Sequence, residues 1–221
     1  MEILIITGLS GGGKSRAASY LEDIGYYTVD NLPAEMMVKF ADFCAGSSGR
    51  YDRVALVYDV RSGEPTDILI ETLERLKASG VNCRMLFLEA DNQTIVNRYK
   101  ETRRMHPLQK KGESVEQAIR REREWMQPVR DHADFVLDTS ALSIAKLRSE
   151  LLDLFGQINR QGQTILMVTH SVKAASHAGR VLFIKDGQVF HQLYRGQCTD
   201  EQLYQKIADT LTMLQAGGDR A

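Results

Sequence analysis

The chain has 221 residues with 28 basic and 29 acidic side chains, so it is nearly neutral and has no global field that would draw it to nucleic acid or a membrane surface. Cys44, Cys83 and Cys198 are odd in number and widely spaced, which fits neither a zinc site nor a disulfide framework and favours reduced thiols in a cytosolic protein. We find no basic-then-apolar leader and no apolar run of about eighteen residues, and we therefore expect a cytoplasmic protein without a membrane segment.

The first predicted elements enclose a glycine-rich segment. An apolar run predicts a strand over 2–7, and good helix formers predict a helix over 14–24. Between them GLSGGGKS, from Gly8 to Ser15, matches the pattern G-x-x-x-x-G-K-[ST] in the order strand, loop, helix. The alternative is a glycine-rich turn without a ligand, but the flanking elements favour a phosphate-binding loop.

Each position of this loop has a physical role with a nucleoside triphosphate. Glycines let successive backbone N–H groups point at phosphate oxygens, and the start of the following helix adds its positive end. Lys14 can reach the β and γ phosphates as a compact charge, and the Ser15 hydroxyl can bind a Mg²⁺ that keeps most of its water. We expect nucleotide contacts from the whole motif, which comprises Gly8, Leu9, Ser10, Gly11, Gly12, Gly13, Lys14 and Ser15.

Apolar strands alternate with helical segments from Glu2 to Ser140, as in a parallel sheet that is covered on both faces. After the first strand and helix, we predict strands at 26–29, 53–59, 84–89 and 134–138. We predict helices at about 33–44 and at 65–79, 91–101, 114–128 and 143–155. The expected fold is α/β, a three-layer P-loop NTPase-like sandwich with a mostly parallel sheet.

The third predicted strand ends in a carboxylate. Asp59 follows the apolar run Val54 to Tyr58, and ligands of open parallel sheets lie outside such strand ends. We predict that Asp59 makes a second Mg²⁺ contact, through a water molecule, and that the loop after it approaches the phosphate site. The alternative is an ordinary solvated strand cap.

Basic residues are concentrated between 98 and 130, and three of them are candidates for a mobile lid over the phosphates. Arg103 and Arg104 lie in a loop before His106 and Pro107, where arginines can stabilise charge that develops during transfer, so both are candidate catalytic residues with Lys14. Arg98 is the third lid candidate. We interpret His106 as a structural contact, and we assign to a solvated helix face the residues Arg120, Arg121 and Arg123.

Several motifs in the first 156 residues resemble the N-terminal domain of the RapZ family, also called YvcJ-like. Besides the glycine-rich loop, they are LEDIGY at 21–26, VDNLP at 29–33, DVRS at 59–62, TRRMHPL at 102–108 and VLDTS at 136–140. The resemblance implies a kinase-like P-loop fold, binding of ATP and GTP, and slow hydrolysis. It also implies nucleotide contacts from Asp59, Val60, Arg61 and Ser62.

The remainder of the chain, 158–221, resembles the C-terminal end of an ABC transporter ATPase. The resemblance rests on QTILMVTH at 163–170, with His170 at the switch position, and on RVLFIKDGQV at 180–189. It implies a strand at 163–168, a helix at 171–177, a hairpin that turns at 186–187 and a helix at 199–215. We therefore expect a chimeric chain with one recombined domain over 1–221, in which 157–221 docks on the parallel sheet.

Three functions are compatible with these features. The first is a weak Mg²⁺-dependent NTPase, and the second is a protein that holds nucleotide as a regulatory ligand without significant turnover. The third is a product of fold recombination that was never selected for activity. His170 lacks the catalytic partners of an ABC ATPase, since Thr139 follows Asp138 and no signature segment occurs, so we expect it to be a bystander. RNA binding is not expected, because the RNA-binding domain of the RapZ family does not follow, and apolar strand residues over 163–190 are compatible with a homodimer.

Overall fold

A computed structural model describes residues 1–47, 51–160, 169, 171–185 and 188–216. Five strands of the described part form a parallel sheet in the order β2-β3-β1-β4-β5. They are β1 (Glu2–Gly8), β2 (Tyr27–Val29), β3 (Arg53–Val57), β4 (Asn82–Glu89) and β5 (Phe135–Asp138). The central strand β1 is buried along its whole length, as expected for an apolar strand with layers on both faces.

Helices connect these strands at the predicted places. They are α1 (Lys14–Asp23), α2 (Ala34–Ala45), α3 (Thr66–Ala78), α4 (Asn92–Thr102), α5 (Val115–Asp131) and α6 (Ile144–Arg160). Ser114 and Gln117 form a capping box that fixes the start of α5. The prediction ended α5 at Pro128, but the helix continues for one more turn because Val129 is buried in the core.

The side chains of β1 alternate between two layers of helices. Ile3 and Ile5 belong to a core cluster with Met37 of α2, Leu69 of α3 and Ile119 of α5. Neighbouring β1 residues point to the opposite face, where α1 contacts β1 and β3. The sheet is therefore covered on both faces, and the predicted three-layer α/β sandwich is confirmed.

The chain divides into two compact units, Met1–Leu147 and Arg148–Ala221. The second unit contains α7 (Val172–Ala175), an antiparallel pair formed by β6 (Arg180–Lys185) and β7 (Gln188–Tyr194), and α8 (Asp200–Ala216). Its core contains Phe183, Leu203 and Ile207. These elements match the predicted hairpin and C-terminal helix.

Three predicted features of this second unit lie outside the described residues, namely the strand at 163–168, His170 and the turn at 186–187. Docking of 157–221 on the parallel sheet stays a prediction. Within the described ranges, no helix combines the length and apolar character that a bilayer-spanning segment needs.

Candidate functional site

The loop between β1 and α1 presses its backbone against strand β4. The Leu9 N–H donates to the Leu88 carbonyl at 2.9 Å, and a Cβ at Gly8 would lie 2.0 Å from that same oxygen. Gly8 also has a φ of 129°, which side-chain-bearing residues rarely adopt. Gly13 has a φ of 105° and directly precedes α1, whose first N–H groups lack intrahelical acceptors. The sequence therefore needs glycine here for close approach and backbone conformation.

Lys14 lies at the start of α1 with its ammonium group folded back over the loop. Its Nζ donates to the carbonyl oxygens of Gly8 at 2.8 Å and Leu9 at 3.2 Å, and it lies 3.3 Å from Asp59 Oδ2. Both charged side chains are buried, with 7% and 6% exposed. Asp59, which follows β3, therefore lies beside the glycine-rich loop, as the sequence predicted. Ser15, the next residue, is exposed in the first turn of α1.

Asp59 precedes a 3-10 helix, Val60–Ser62, that holds its carboxylate in place. Oδ1 accepts from Arg61 N at 3.0 Å and from Arg61 Nε at 2.8 Å, while Oδ2 lies 3.2 Å from Arg61 Nη2. Burial opposes ionisation of this carboxyl, but the Arg61 hydrogen bonds and the Lys14 charge outweigh it and lower its pKa to about 2. Asp59 is therefore ionised at neutral pH, and it is not a solvated strand cap.

A small cleft adjoins Asp59 on the side of β2. Its volume is about 240 Å³, and its lining residues are Asn31, Leu32, Pro33, Asp59, Arg61, Ser62 and Glu64. Val60, which the sequence suggested as a nucleotide contact, is 1% exposed and does not line this cleft. Arg61 and Ser62 are exposed beside the cleft. These residues give a ligand polar contacts next to the Lys14–Asp59 pair.

Arg98 and Thr139 brace the loop from the other side. Arg98 Nη1 donates to the Gly11 carbonyl at 2.6 Å, and Nη2 donates to the Thr139 carbonyl at 2.8 Å. The Thr139 hydroxyl lies 2.9 Å from the Gly12 carbonyl oxygen. The sequence suggested Arg98 as a lid residue, but its guanidinium is committed to carbonyl groups of the loop and of the segment after β5.

Beneath the loop lies a buried polar group that the sequence analysis missed. Glu122 of α5 is 0% exposed and accepts hydrogen bonds from the Ser10 backbone and hydroxyl, and His106 contacts the same carboxylate. His106 thus has the structural contact that we expected. A signal for Glu122 does exist in the sequence, because it shares helical spacing with the buried positions Ala118, Ile119, Met126 and Val129.

The remaining arginine candidates are less closely connected to the loop. Arg103 ends α4 in a left-handed conformation, with φ 52°, and both it and Arg104 are exposed. No ion pair or side-chain hydrogen bond within the described ranges involves either residue. Arg120 is exposed as predicted, whereas Arg121 is half-buried and pairs with Glu113. The solvated-face interpretation is therefore wrong for Arg121, because its guanidinium is needed to hold the segment before α5.

Arg123 is also not part of a solvated helix face, contrary to the prediction. It donates from Nε to Asn92 Oδ1 at 2.8 Å and from Nη2 to the Ala90 carbonyl. Both acceptors lie just after β4, so Arg123 ties α5 to the carboxyl end of that strand. Basic side chains on α5 thus hold the loops around the site in place. The pattern of charges along the helix does not predict this role.

Comparisons with known proteins give matches for the first part of the chain. Residues 1–159 match the RapZ-like N-terminal domain. A "Nucleotide-binding protein" of Acetivibrio thermocellus is 46% identical over 155 residues, which cover 70% of this chain and 53% of that protein. One of Desulforudis audaxviator, with the same description, is 46% identical over 154 residues, 70% of this chain and 52% of that protein. The chain thus spans about half the length of the curated relatives it matches.

Solved structures of similar shape are more distant in sequence. A shikimate kinase from Acinetobacter baumannii has a TM-score of 0.49 at 15% identity, and the match covers 74% of this chain and 96% of that one. A gluconokinase from Sinorhizobium meliloti has a TM-score of 0.43 at 18% identity, over 73% of this chain and 98% of that one. Because the family match extends over residues 1–159, this chain belongs to the RapZ-like N-terminal domain family.

Proposed function

We propose that this protein binds ATP or GTP with Mg²⁺ in the loop Gly8–Ser15 and hydrolyses it slowly. The observation that carries the proposal is the buried Lys14–Asp59 pair, 3.3 Å apart where the loop meets the end of β3. A lysine at this position of a phosphate loop contacts β and γ phosphates, and the acidic residue contributes to the Mg²⁺ site. The "Nucleotide-binding protein" names of the relatives support the same ligand class.

The donor set around the loop fits Mg²⁺. Mg²⁺ keeps several waters and takes one or two protein oxygens together with the phosphates, so a dense cluster of ligands is not needed. The described residues contain no group of three or more His, Cys, Asp or Glu side chains that could hold a metal. Ser15 and Asp59 are the residues that would hold the ion. When bound, it would neutralise part of the charge on the phosphates.

Phosphate binding requires Lys14 to change partners. Its ammonium has three donors, and they are directed at Gly8 O, Leu9 O and Asp59. Arg61 and Lys14 together occupy the acceptor positions of the Asp59 carboxylate. A phosphate that attracts Lys14 therefore also frees part of Asp59 for a water of the Mg²⁺ shell.

We expect slow turnover because the two buried acids described beside the loop, Asp59 and Glu122, are both committed to other contacts. Asp59, with a pKa of about 2, is a poor proton acceptor at neutral pH and is already paired. Glu122 is buried and committed to Ser10 and His106. Arg103 and Arg104 are exposed in the segment that His106 connects to Glu122, and we propose that they act by stabilising transferred charge once nucleotide is bound.

The alternative is a protein that binds nucleotide as a regulatory ligand without significant turnover. Asp59 and Glu122 favour this alternative, because both carboxylates are already committed to other contacts. Release of γ-phosphate under single-turnover conditions, with Mg-ATP and with Mg-GTP, separates the two. We expect slow release that is lost in Lys14→Ala. Binding without release above the uncatalysed rate would support the regulatory alternative.

The recombined-domain hypothesis and the resemblance of 158–221 to an ABC ATPase remain proposals, as do homodimer formation and a cytoplasmic location. If 157–221 docks on the parallel sheet, the full chain unfolds as one cooperative unit, and a chain truncated after Gly156 melts at a lower temperature. A truncated chain that melts where the full chain does would make the second unit an independent appendage. Sedimentation of the full chain tests the dimer separately.

A further inference from the structure

A buried carboxylate contacts the phosphate loop through Ser10. Both oxygens of Glu122 lie 3.0 Å from Ser10 N, and Oε1 lies 2.6 Å from Ser10 Oγ. Ser10 itself is only 3% exposed. Glu122 therefore turns the N–H and the hydroxyl of Ser10 inward, away from any bound phosphate.

The same carboxylate holds the segment that carries the exposed arginines. His106 Nε2 lies 3.1 Å from Glu122 Oε2, and His106 Nδ1 lies 3.2 Å from Leu108 N. Because the Leu108 N–H can only donate, Nδ1 is the acceptor, and Nε2–H donates to Glu122. The His106 ring also packs on Tyr99, with centroids 5.2 Å apart.

Tyr99 connects the two sides of this network. Its ring packs on His106, and burial together with the nearby charge of Glu122 raises its pKa to about 12. A Cβ on Gly11 would meet the Tyr99 ring at 3.4 Å. The loop and the segment after α4 thus share one buried contact region.

We infer that Glu122 is a positioning residue that joins the phosphate loop to the arginine segment, defined here as residues 103–113. The inference rests on the proposed function, because the geometry it maintains is that of a loop ready for phosphate. By holding Ser10 from below, Glu122 fixes the curl that leaves the N–H groups at the start of α1 facing the ligand. By holding His106, it fixes the position from which Arg103 and Arg104 extend.

A carboxylate is needed for this role because three donors converge on it. A glutamine of the same shape offers one acceptor oxygen and adds two donors of its own against Ser10 and His106. Glu122→Gln therefore preserves the volume of the side chain but breaks the connection between the phosphate loop and the arginine segment. Glu122→Asp keeps the negative charge on a shorter side chain. The matched control is Glu124→Gln on the same helix, since it makes the same chemical change at an exposed position.

Amide hydrogen exchange of the nucleotide-free full chain tests directly whether Glu122 connects the phosphate loop to the arginine segment. In Glu122→Gln we expect exchange in peptides covering 9–13 and 105–110 to rise about tenfold together, as for loss of a buried hydrogen-bonded pair. Glu124→Gln should leave both within about twofold of the parent, and Glu122→Asp should recover part of the protection. Parent-like exchange in Glu122→Gln, or a rise in one peptide without the other, overturns the inference.

Nucleotide titration then tests whether the connection between the phosphate loop and the arginine segment affects nucleotide binding. With Mg²⁺ and a non-hydrolysable ATP analogue, Glu122→Gln should bind about tenfold more weakly than the parent, and Glu124→Gln should bind within about twofold of it. Equal affinity in Glu122→Gln and parent overturns the positioning role while the proposed function stands. If the parent itself binds neither ATP nor GTP analogues, the proposed function fails, and the exchange measurement still decides whether Glu122 joins the two segments.

Discussion

Replacing Lys14 by alanine removes the charge that the proposed function places on the phosphates. The ammonium is 7% exposed and lies between two loop carbonyls and Asp59. Asp59 keeps its contacts with Arg61 after the change, so the buried carboxylate is not left alone. We therefore expect Lys14→Ala to fold and to lose affinity for triphosphate.

The size of the loss follows from the contacts exchanged on binding. One charge-assisted contact to a phosphate contributes about 2–3 kcal/mol, which corresponds to about a hundredfold in affinity. The parent must detach Lys14 from Asp59 and the carbonyl oxygens, whereas the variant has no such contacts to give up. This difference places the expected loss near the lower end of that range, about 2 kcal/mol.

Isothermal titration of variant and parent with the same triphosphate analogue measures this loss. Lys77→Ala is a suitable control, because it removes an equal charge that is paired with Asp134 ahead of β5, at the opposite edge of the sheet. We expect the control to bind like the parent. Equal affinity in Lys14→Ala and parent, with both folded, would mean that the loop is a turn and not a phosphate site.

Asp59→Asn should weaken binding with Mg²⁺ more than binding without it, and an equal loss in both titrations would contradict the metal role. The pKa of Asp59 is lowered from 3.8 to about 2, so its ionised form stabilises the fold by about 2 kcal/mol above about pH 4, and this stability is lost as the pH falls towards 2. Denaturant unfolding should therefore show that the free energy of unfolding of Asp59→Asn depends less on pH in that window than the free energy of unfolding of the parent. Arg103→Ala should lower the rate of turnover more than the affinity for nucleotide. A loss confined to affinity would show that Arg103 contributes to binding of the ground state and not to turnover. Gly12→Ala should disrupt the loop, because its Cβ would lie 2.7 Å from Leu88 O; a variant that binds like the parent would show that the loop can shift.

The fold was predictable because its signals are local. The apolar run of β1, the loop motif and the capping residues of α5 are each contained in a short stretch of sequence. The position of Asp59 near the glycine-rich loop was predictable because carboxyl ends of parallel strands share one edge of the sheet. Its contact with Lys14 also depends on the pairing of β1 with β3, which the strand order provides.

The network beneath the loop was not predictable because its partners are far apart in sequence. Ser10 and Glu122 are 112 positions apart, and one acid among many on a charged helix resembles a solvated residue. Only its place on the apolar face of α5 distinguishes it. Arg98 was misassigned for a similar reason, since its acceptors at Gly11 and Thr139 are brought together by the sheet and not by local spacing.

Calorimetric titration of the unmodified chain with non-hydrolysable ATP and GTP analogues, with and without Mg²⁺, tests the central claim most directly. The account predicts saturable binding of at least one analogue, tighter with Mg²⁺ and weakened about thirtyfold in Lys14→Ala. Absence of binding by the folded chain to both analogues, in either condition, would contradict it.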